Sequence, residues 1–330
     1  MVAISDVGLT SALLGKDDAQ TRLKTAGPQA LSSAAIVRAP GRDGADPSRP
    51  SPACQDIPGP FILAIQFVSH QHTACRHHPA AEEGNGDPIA DLMTQSLQHR
   101  AVRHPYLSAM ASGELPDPRR ALRDFARHYH GYSSHFPRYL TALISRLEDD
   151  EDRRELLENL QGEGGSYSPK ELGLLQAAGI PAEWVVNVPH PELFRRFRRA
   201  LGVGDDDPAE EHLEVTAWRE LLLSVISQGT AAEAVGAMGL GTEGIVPAIY
   251  PAFARALRRL RDVAPRDGVF FPLHTLVDDH HQASLRALAG KLATSSRGRR
   301  DLALGMTKAL ALRDAFWGWL HQRALAMDPA

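Results

Sequence analysis

FFPLHTLVDDHHQASLRAL, residues 270–288, carries His274, Asp278 and His281 in the spacing H-x3-D-x2-H. On an α-helix these offsets are i, i+4 and i+7. At about 100° per residue, the three side chains fall within roughly 60° of one another. Two imidazoles and a carboxylate on one stripe make a ligand set for a transition metal such as iron, manganese or zinc. Asp279 and His280 fall on other faces, so the set is geometric and not simply a polar run. Leu273, Val277 and Leu285 fill the rest of the stripe. Burying polar groups among them unpaired costs on the order of several kcal/mol, so the stripe needs a partner. A lone helical histidine would carry no such weight.

The rest of the chain narrows the class. Its 330 residues, 43% hydrophobic, suffice for one large core or two modest ones. A net charge of −4 gives no argument for nucleic acid or an anionic membrane as partner. No apolar run approaches the ~18 residues of a membrane span. The start, MVAISDVGLTSALLGKDDAQ, has neither a charged n-region nor an apolar h-region, so the cytoplasm is the expected compartment. Cys54 and Cys75 are the only cysteines, which excludes a disulfide framework.

Residues 1–86 are rich in Ala, Gly, Pro, Ser and Asp, as in APGRDGADPSRPSPACQDIPGP, and are expected to form a disordered, low-complexity extension. His70, His72, Cys75, His77 and His78 lie there without regular spacing. Residues 87–330 form the expected folded domain. Apolar residues recur at helical spacing in PIADLMTQSLQHRAVRH and in DPRRALRDFARHYHGYSSHFPRYLTALISRLED, with Pro118 in a first turn. SPKELGLLQAAG opens on a capping box, Ser168 with Glu171, and ends at Gly179. The stretch from Pro208 to Leu260 reads as two helices. Strand-type alternation is nearly absent, so the expected fold is an all-α bundle of about seven or eight helices without internal repeats.

Several other ligand-type residues sit in apolar or helix-terminal contexts. Glu163 is flanked by Gly162, Gly164 and Gly165 in NLQGEGG. Glu243 lies in GLGTEGIVPAIYPAF with no basic neighbour, and an exposed glutamate near Pro247 is its plain alternative. His190 precedes Pro191 at a helix start and could equally be a surface residue of the cap.

Taken in order, LLENLQGEGG, HPELFRRFRRALG, GTEGIVPAIYPAF and HTLVDDHHQASL make residues 88–328 resemble the haem-oxygenase-like di-iron oxidases and oxygenases, described as iron-containing redox enzymes. The resemblance implies a haem-oxygenase-like helical bundle holding two Fe(II) ions. Carried onto this chain, the implied ligands are Glu163, His190, Glu243, His274, Asp278 and His281, with Glu163, Glu243 and Asp278 central to catalysis. Two departures stand out. Gly162 replaces an acidic residue found in many relatives, and the gap from Glu163 to His190 is long. Glu171 or Glu183 could be an additional ligand, and Glu183, seven residues before His190, competes with Glu163 for the first position.

DFARHYHGYSSHFPRYL is similar to the family's second core helix. Its His128, Tyr129, His130, Tyr132 and Arg138 are candidate substrate-pocket groups, with Phe125 and Phe136 read as packing. The alternative for the whole set is packed aromatics with exposed histidines. The expected function is an O2-dependent oxidation of a small amine- or carboxylate-bearing metabolite, by amino-acid N-oxygenation, oxidative C–C cleavage or decarboxylation, in natural-product biosynthesis. Its partners would be O2 and the substrate, with an electron donor and a homodimer allowed. Two other classes stay open. One is a cofactorless enzyme of the same fold, of thiamin-salvage or quinone-forming type; the hydrolase needs a cysteine nucleophile, and none occurs after Cys75. The other is a non-catalytic metal-binding helical protein.

Overall fold

A computed structural model describes Gln66 and residues 86–205 and 212–329, with the side chains of 277–280 left out. The extension read into residues 1–86, with its histidine and cysteine residues, lies outside the described residues except for Gln66 and Gly86. Among the described residues the regular structure is helical throughout, as the apolar periodicity predicts.

Local chemistry sets the helix starts. Helix α1 (Pro88–Gln98) begins with Pro88 behind Asp87, whose carboxylate accepts from the Ile89 amide at 2.9 Å. After α2 (Pro105–Ser112), helix α3 (Pro118–Ser133) repeats the device with Asp117 and the Arg120 amide, placing Pro118 in the first turn. A short α4 (Phe136–Ile144) leads to α5 (Asp150–Glu163). Its first turn, Asp150, Glu151 and Asp152, puts negative charge at the positive end of the helix dipole. The Ser168–Glu171 capping box opens α6 (Pro169–Ala177), and Gly179 takes a left-handed φ of 75° just past its end.

Helix α7 (His190–Ala200) turns Leu193, Phe194 and Phe197 into the core. The stretch read as two helices is divided further. Helix α8 (Leu213–Gln228) stops at Gly229, whose backbone is extended, and Thr230 caps a short α9 (Ala231–Val235). A π-helical turn spans Gly236–Leu240, closed by the Gly241 amide on the Gly236 carbonyl at 3.0 Å. A 3-10 turn (Glu243–Ile245) then leads into α10 (Val246–Arg259). Wide turns of this kind recur at functional sites because they shift the register of the residues downstream.

The long helices α11 (Phe270–Leu292) and α12 (Ser296–Leu325) complete the bundle. Helix α12 lies against α8, α9 and the π turn and contributes Leu310, Leu312, Phe316, Trp317 and Leu320 to the core. Its approach to α9 is backbone on backbone. A Cβ on Gly305 would stand 1.8 Å from the Glu233 carbonyl oxygen, and one on Gly236 would stand 2.0 Å from that of Leu302. Beside this contact, Lys308 Nζ meets Glu233 Oε1 at 2.5 Å with both side chains buried.

Candidate metal centre

The C-terminal end of α5, the N-terminal turn of α7, the 3-10 turn and one face of α11 converge in the bundle interior. Each brings a ligand-type side chain. Glu163 is 5% exposed and His190 2%; Glu243, His274 and His281 are also buried. Two triads of potential ligand atoms form, each lying within 4.8 Å of one another. One is Glu163, His190 and His274; the other is Glu163, Glu243 and His281. Glu163 belongs to both.

The orientations suit cation binding. His190 Nδ1 approaches Glu163 Oε1 to 3.2 Å, so two potential ligand atoms stand side by side. The ring is held from behind by the Tyr167 hydroxyl at 3.0 Å from Nε2. His274 donates Nδ1–H to the Phe270 carbonyl at 2.7 Å, which leaves Nε2 as the free lone pair. His281 Nδ1 stands 4.0 Å from Glu163 Oε1. The ring of His281 also explains the glycine at 162. A Cβ there would be 2.5 Å from His281 Nε2, so a larger residue cannot coexist with that ring position.

Protonation is set by burial and by the neighbours. Burial pushes the Glu163 carboxyl up, but His190, and then His274 and His281, outweigh it and bring the group down to about 2. Glu243 goes the other way, to about 8, because it is buried and faces the Glu163 charge. The two carboxylates therefore share one proton at neutral pH, held on Glu243. Burial, and then the nearby His190, lower His274 to about 3, so its imidazole is neutral and ready to bind a cation. Three N/O donors per triad, without cysteine, fit a borderline divalent ion such as iron.

Other expected residues are placed differently. Helix α11 runs unbroken through 278, but the Asp278 side chain lies outside the described residues, as do those of Asp279 and His280. Glu183 is exposed, and Glu171 spends its carboxylate on the Ser168 amide at 2.6 Å; neither belongs to the triads. The long gap between Glu163 and His190 is folded out as a detour. Its base is pinched where the Asn187 amide donates to the Gly165 carbonyl at 2.9 Å, with Gly165 at φ 88° and Asn187 at φ 56°.

A small cavity opens beside the triads. Glu163, His190, Glu243 and His274 line it together with Tyr129 and Tyr132. The other candidate pocket residues do not. Tyr129 and Tyr132 are three apart and share the inward face, whereas His128 and His130 lie about 100° to either side of Tyr129. His128 instead meets Asp124 at 3.2 Å, and His130 stacks near Phe194. Arg138 is exposed on α4, while Phe136, read as packing, lines the cavity. Absent from the sequence-based set are Tyr167, behind His190, and Ser133, Tyr250 and Arg313 in the cavity lining. Tyr250 lies one helical stretch beyond Glu243 and shares a hydroxyl–hydroxyl contact of 3.0 Å with Tyr129. Arg313 is marked in the sequence only as a single cation in the apolar run of α12.

Comparison with known proteins agrees with this geometry. A family model described as iron-containing redox enzyme matches residues 123–314. A 4-aminobenzoate synthase of Chlamydia pneumoniae is 24% identical over 241 residues, covering 72% of this chain and 96% of the relative. Its counterpart in Chlamydia muridarum is 26% identical over 206 residues, covering 62% and 78%. Among solved structures, a CADD-like protein of unknown function from Nostoc punctiforme superposes with a TM-score of 0.57 at 16% identity, covering 72% of this chain and 97% of the other. A TenA homologue from Pseudomonas syringae pv. tomato gives 0.55 at 14% identity, covering 75% and 98%. These structural likenesses extend to the fold, the all-α haem-oxygenase-like bundle. The matched span takes in more than half of the sequence and both triads, and the chain belongs to the iron-containing redox enzyme family.

Proposed function

We propose that the chain is an O2-dependent non-haem di-iron oxidase or oxygenase acting on a small amine- or carboxylate-bearing metabolite. The observation that carries this reading is the pair of buried triads sharing Glu163. A carboxylate common to both would serve two ions, with His190 and His274 completing one ligand set and Glu243 and His281 the other. Asp278, one helical turn beyond His274 in α11, is assigned the remaining carboxylate. Bound ferrous ions would supply the electrons that O2 activation requires, which zinc cannot.

The protein's own residues do the rest. Three carboxylates, Glu163, Glu243 and Asp278, set against two divalent ions leave one net positive charge. The centre is thus nearly neutral in a dry interior, which limits the desolvation cost. Six side chains for two ions leave positions open for small molecules, unlike a closed structural zinc site. Tyr167 holds the ring plane of His190, and the Phe270 carbonyl fixes both the tautomer and the ring plane of His274. Glu243, pushed up to about 8 by burial and the Glu163 charge, would give up its proton to hold a cation. The relatives are named for making 4-aminobenzoate, a small molecule bearing both an amine and a carboxylate.

The test is anaerobic ferrous loading with metal counting, and then O2 uptake across a panel of amino acids, amines and carboxylic acids. Two irons per chain are expected. Glu163→Gln should lose both because the residue is shared, while Glu183→Gln should keep both. Zinc-loaded protein turning over as fast as iron-loaded protein would sink the reading and point to hydrolysis.

A further inference from the structure

The cavity beside the triads also has a cation in its wall. Arg313 lines it from α12 at 2% exposure. Its guanidinium donates to the Tyr132 hydroxyl at 3.0 Å and to the Tyr129 hydroxyl at 3.4 Å, and its buried Nε–H has no hydrogen-bond partner. No carboxylate among the described residues is within ion-pairing distance of it. The two acids in the cavity lining, Glu163 and Glu243, already belong to the ligand triads. The rings of Trp218 and Tyr132, at 5.2 and 5.3 Å, attract the cation but do not neutralise it.

The neighbouring polar groups are donors as well. The Tyr132 hydroxyl accepts from Arg313 and keeps its own proton to give. The Ser133 hydroxyl, also in the cavity lining, is buried without a partner. Buried donors without acceptors are costly, and a buried cation without a counter-charge more so. A bound anion would satisfy both. Phe136, Pro191, Val246 and Phe270 supply apolar wall to the same cavity.

We propose that Arg313, with Tyr132 and Ser133, is the docking site for a substrate carboxylate, which turns the rest of a small molecule toward Glu243 and His274. This deepens the di-iron reading and rests on it for the subsequent chemistry, but the docking itself needs no iron.

The probes are benzoate and its uncharged isostere benzamide, titrated calorimetrically into metal-free and into anaerobic ferrous protein, with iron content measured separately. Metal-free wild type should prefer benzoate by about tenfold or more, the scale of a charge-assisted bidentate hydrogen bond. Arg313→Gln should erase that preference without lowering iron uptake, and Arg313→Lys should keep part of it. A purely structural arginine would leave the benzoate-to-benzamide ratio unchanged in any variant that folds. Equal affinities in metal-free wild type, or no binding of either probe, overturn the proposal even if Arg313→Gln fails to fold. Carboxylate preference that arises only with iron overturns it too, since the ions would then hold the anion. Failure to take up iron, with the benzoate preference intact, would instead refute the di-iron reading.

Discussion

Cation binding should expel one proton from Glu243, and pH should therefore control iron affinity with a defined slope. Before binding, Glu243 sits at about 8 while Glu163 sits at about 2 and His274 at about 3. Of these three, only Glu243 carries a proton that must leave. At pH 7 it is roughly 90% protonated, and at pH 9 roughly 10%. Wild type should therefore release about 0.8 proton more on ferrous binding at pH 7 than at pH 9, measured against Glu243→Gln, which has no proton to lose. Below pH 8 each unit should weaken that contribution to affinity about tenfold, or about 1.4 kcal/mol. Anaerobic calorimetry in buffers of different ionisation enthalpy counts the protons directly. The same group also works on stability without metal. Its folded-state pKa is raised above the ordinary 4.5, so the native state binds more protons than the unfolded chain between that value and about 8. Stability is then greatest below 4.5 in this respect and falls as pH rises toward 8. Metal-free Glu243→Gln should accordingly melt higher than metal-free wild type at pH 9, although it has lost a ligand. Equal proton release by the two proteins at pH 7, or a lower Tm for Glu243→Gln at pH 9, would refute the assignment of the shared proton.

Single contacts give further expected outcomes. Tyr167→Phe removes the hydroxyl behind His190 Nε2 and should weaken iron binding about 10- to 100-fold in an iron titration, with helicity unchanged. Gly162→Ala would put a methyl 2.5 Å from His281 Nε2; metal counting should show loss of iron from a folded protein, and full iron occupancy would count against the ring position described. Gly305→Ala meets the Glu233 carbonyl at 1.8 Å and should cost about 1–3 kcal/mol or more in chemical denaturation, since neither backbone can yield alone. Removing residues 1–85 should leave iron uptake unchanged, because all the assigned ligands lie beyond them; a large loss would assign the extension's histidines a role.

Legibility in the sequence depends on whether a feature is local. Helical phase alone puts His274 and His281 on one stripe, and capping chemistry alone places the starts at Pro118 and Ser168. The pairing of Glu163 with His190 comes from resemblance, and only three-dimensional burial separates Glu163 from Glu183. The two glutamates are equivalent by composition; one is buried at the end of α5, the other sits exposed on a 3-10 turn (Ala182–Trp184). The π turn ahead of Glu243 leaves only its glycines as a trace in the sequence: Gly236 is needed where the chain meets the backbone of α12, which no local pattern reveals. Arg313 is hidden for a related reason. A cation in a long helix is ordinary in sequence, and its lack of a counter-ion becomes visible only when every neighbour is known. His128 and His130 mislead because they alternate with the tyrosines that do reach the cavity.

The pinch between Gly165 and Asn187 bears on how such chains are to be found. It makes the first two assigned ligands neighbours through a neck two residues wide, so the length of chain hung from that neck does not enter the geometry of the centre. Segments could be gained or trimmed there over evolutionary time at little more than the slowly growing cost of closing a longer loop. A search pattern that fixes the number of residues between the first glutamate and the first histidine would pass over this chain and pick Glu183 in its place. A pattern that anchors on the glycines at the neck and leaves the interval free would recover it.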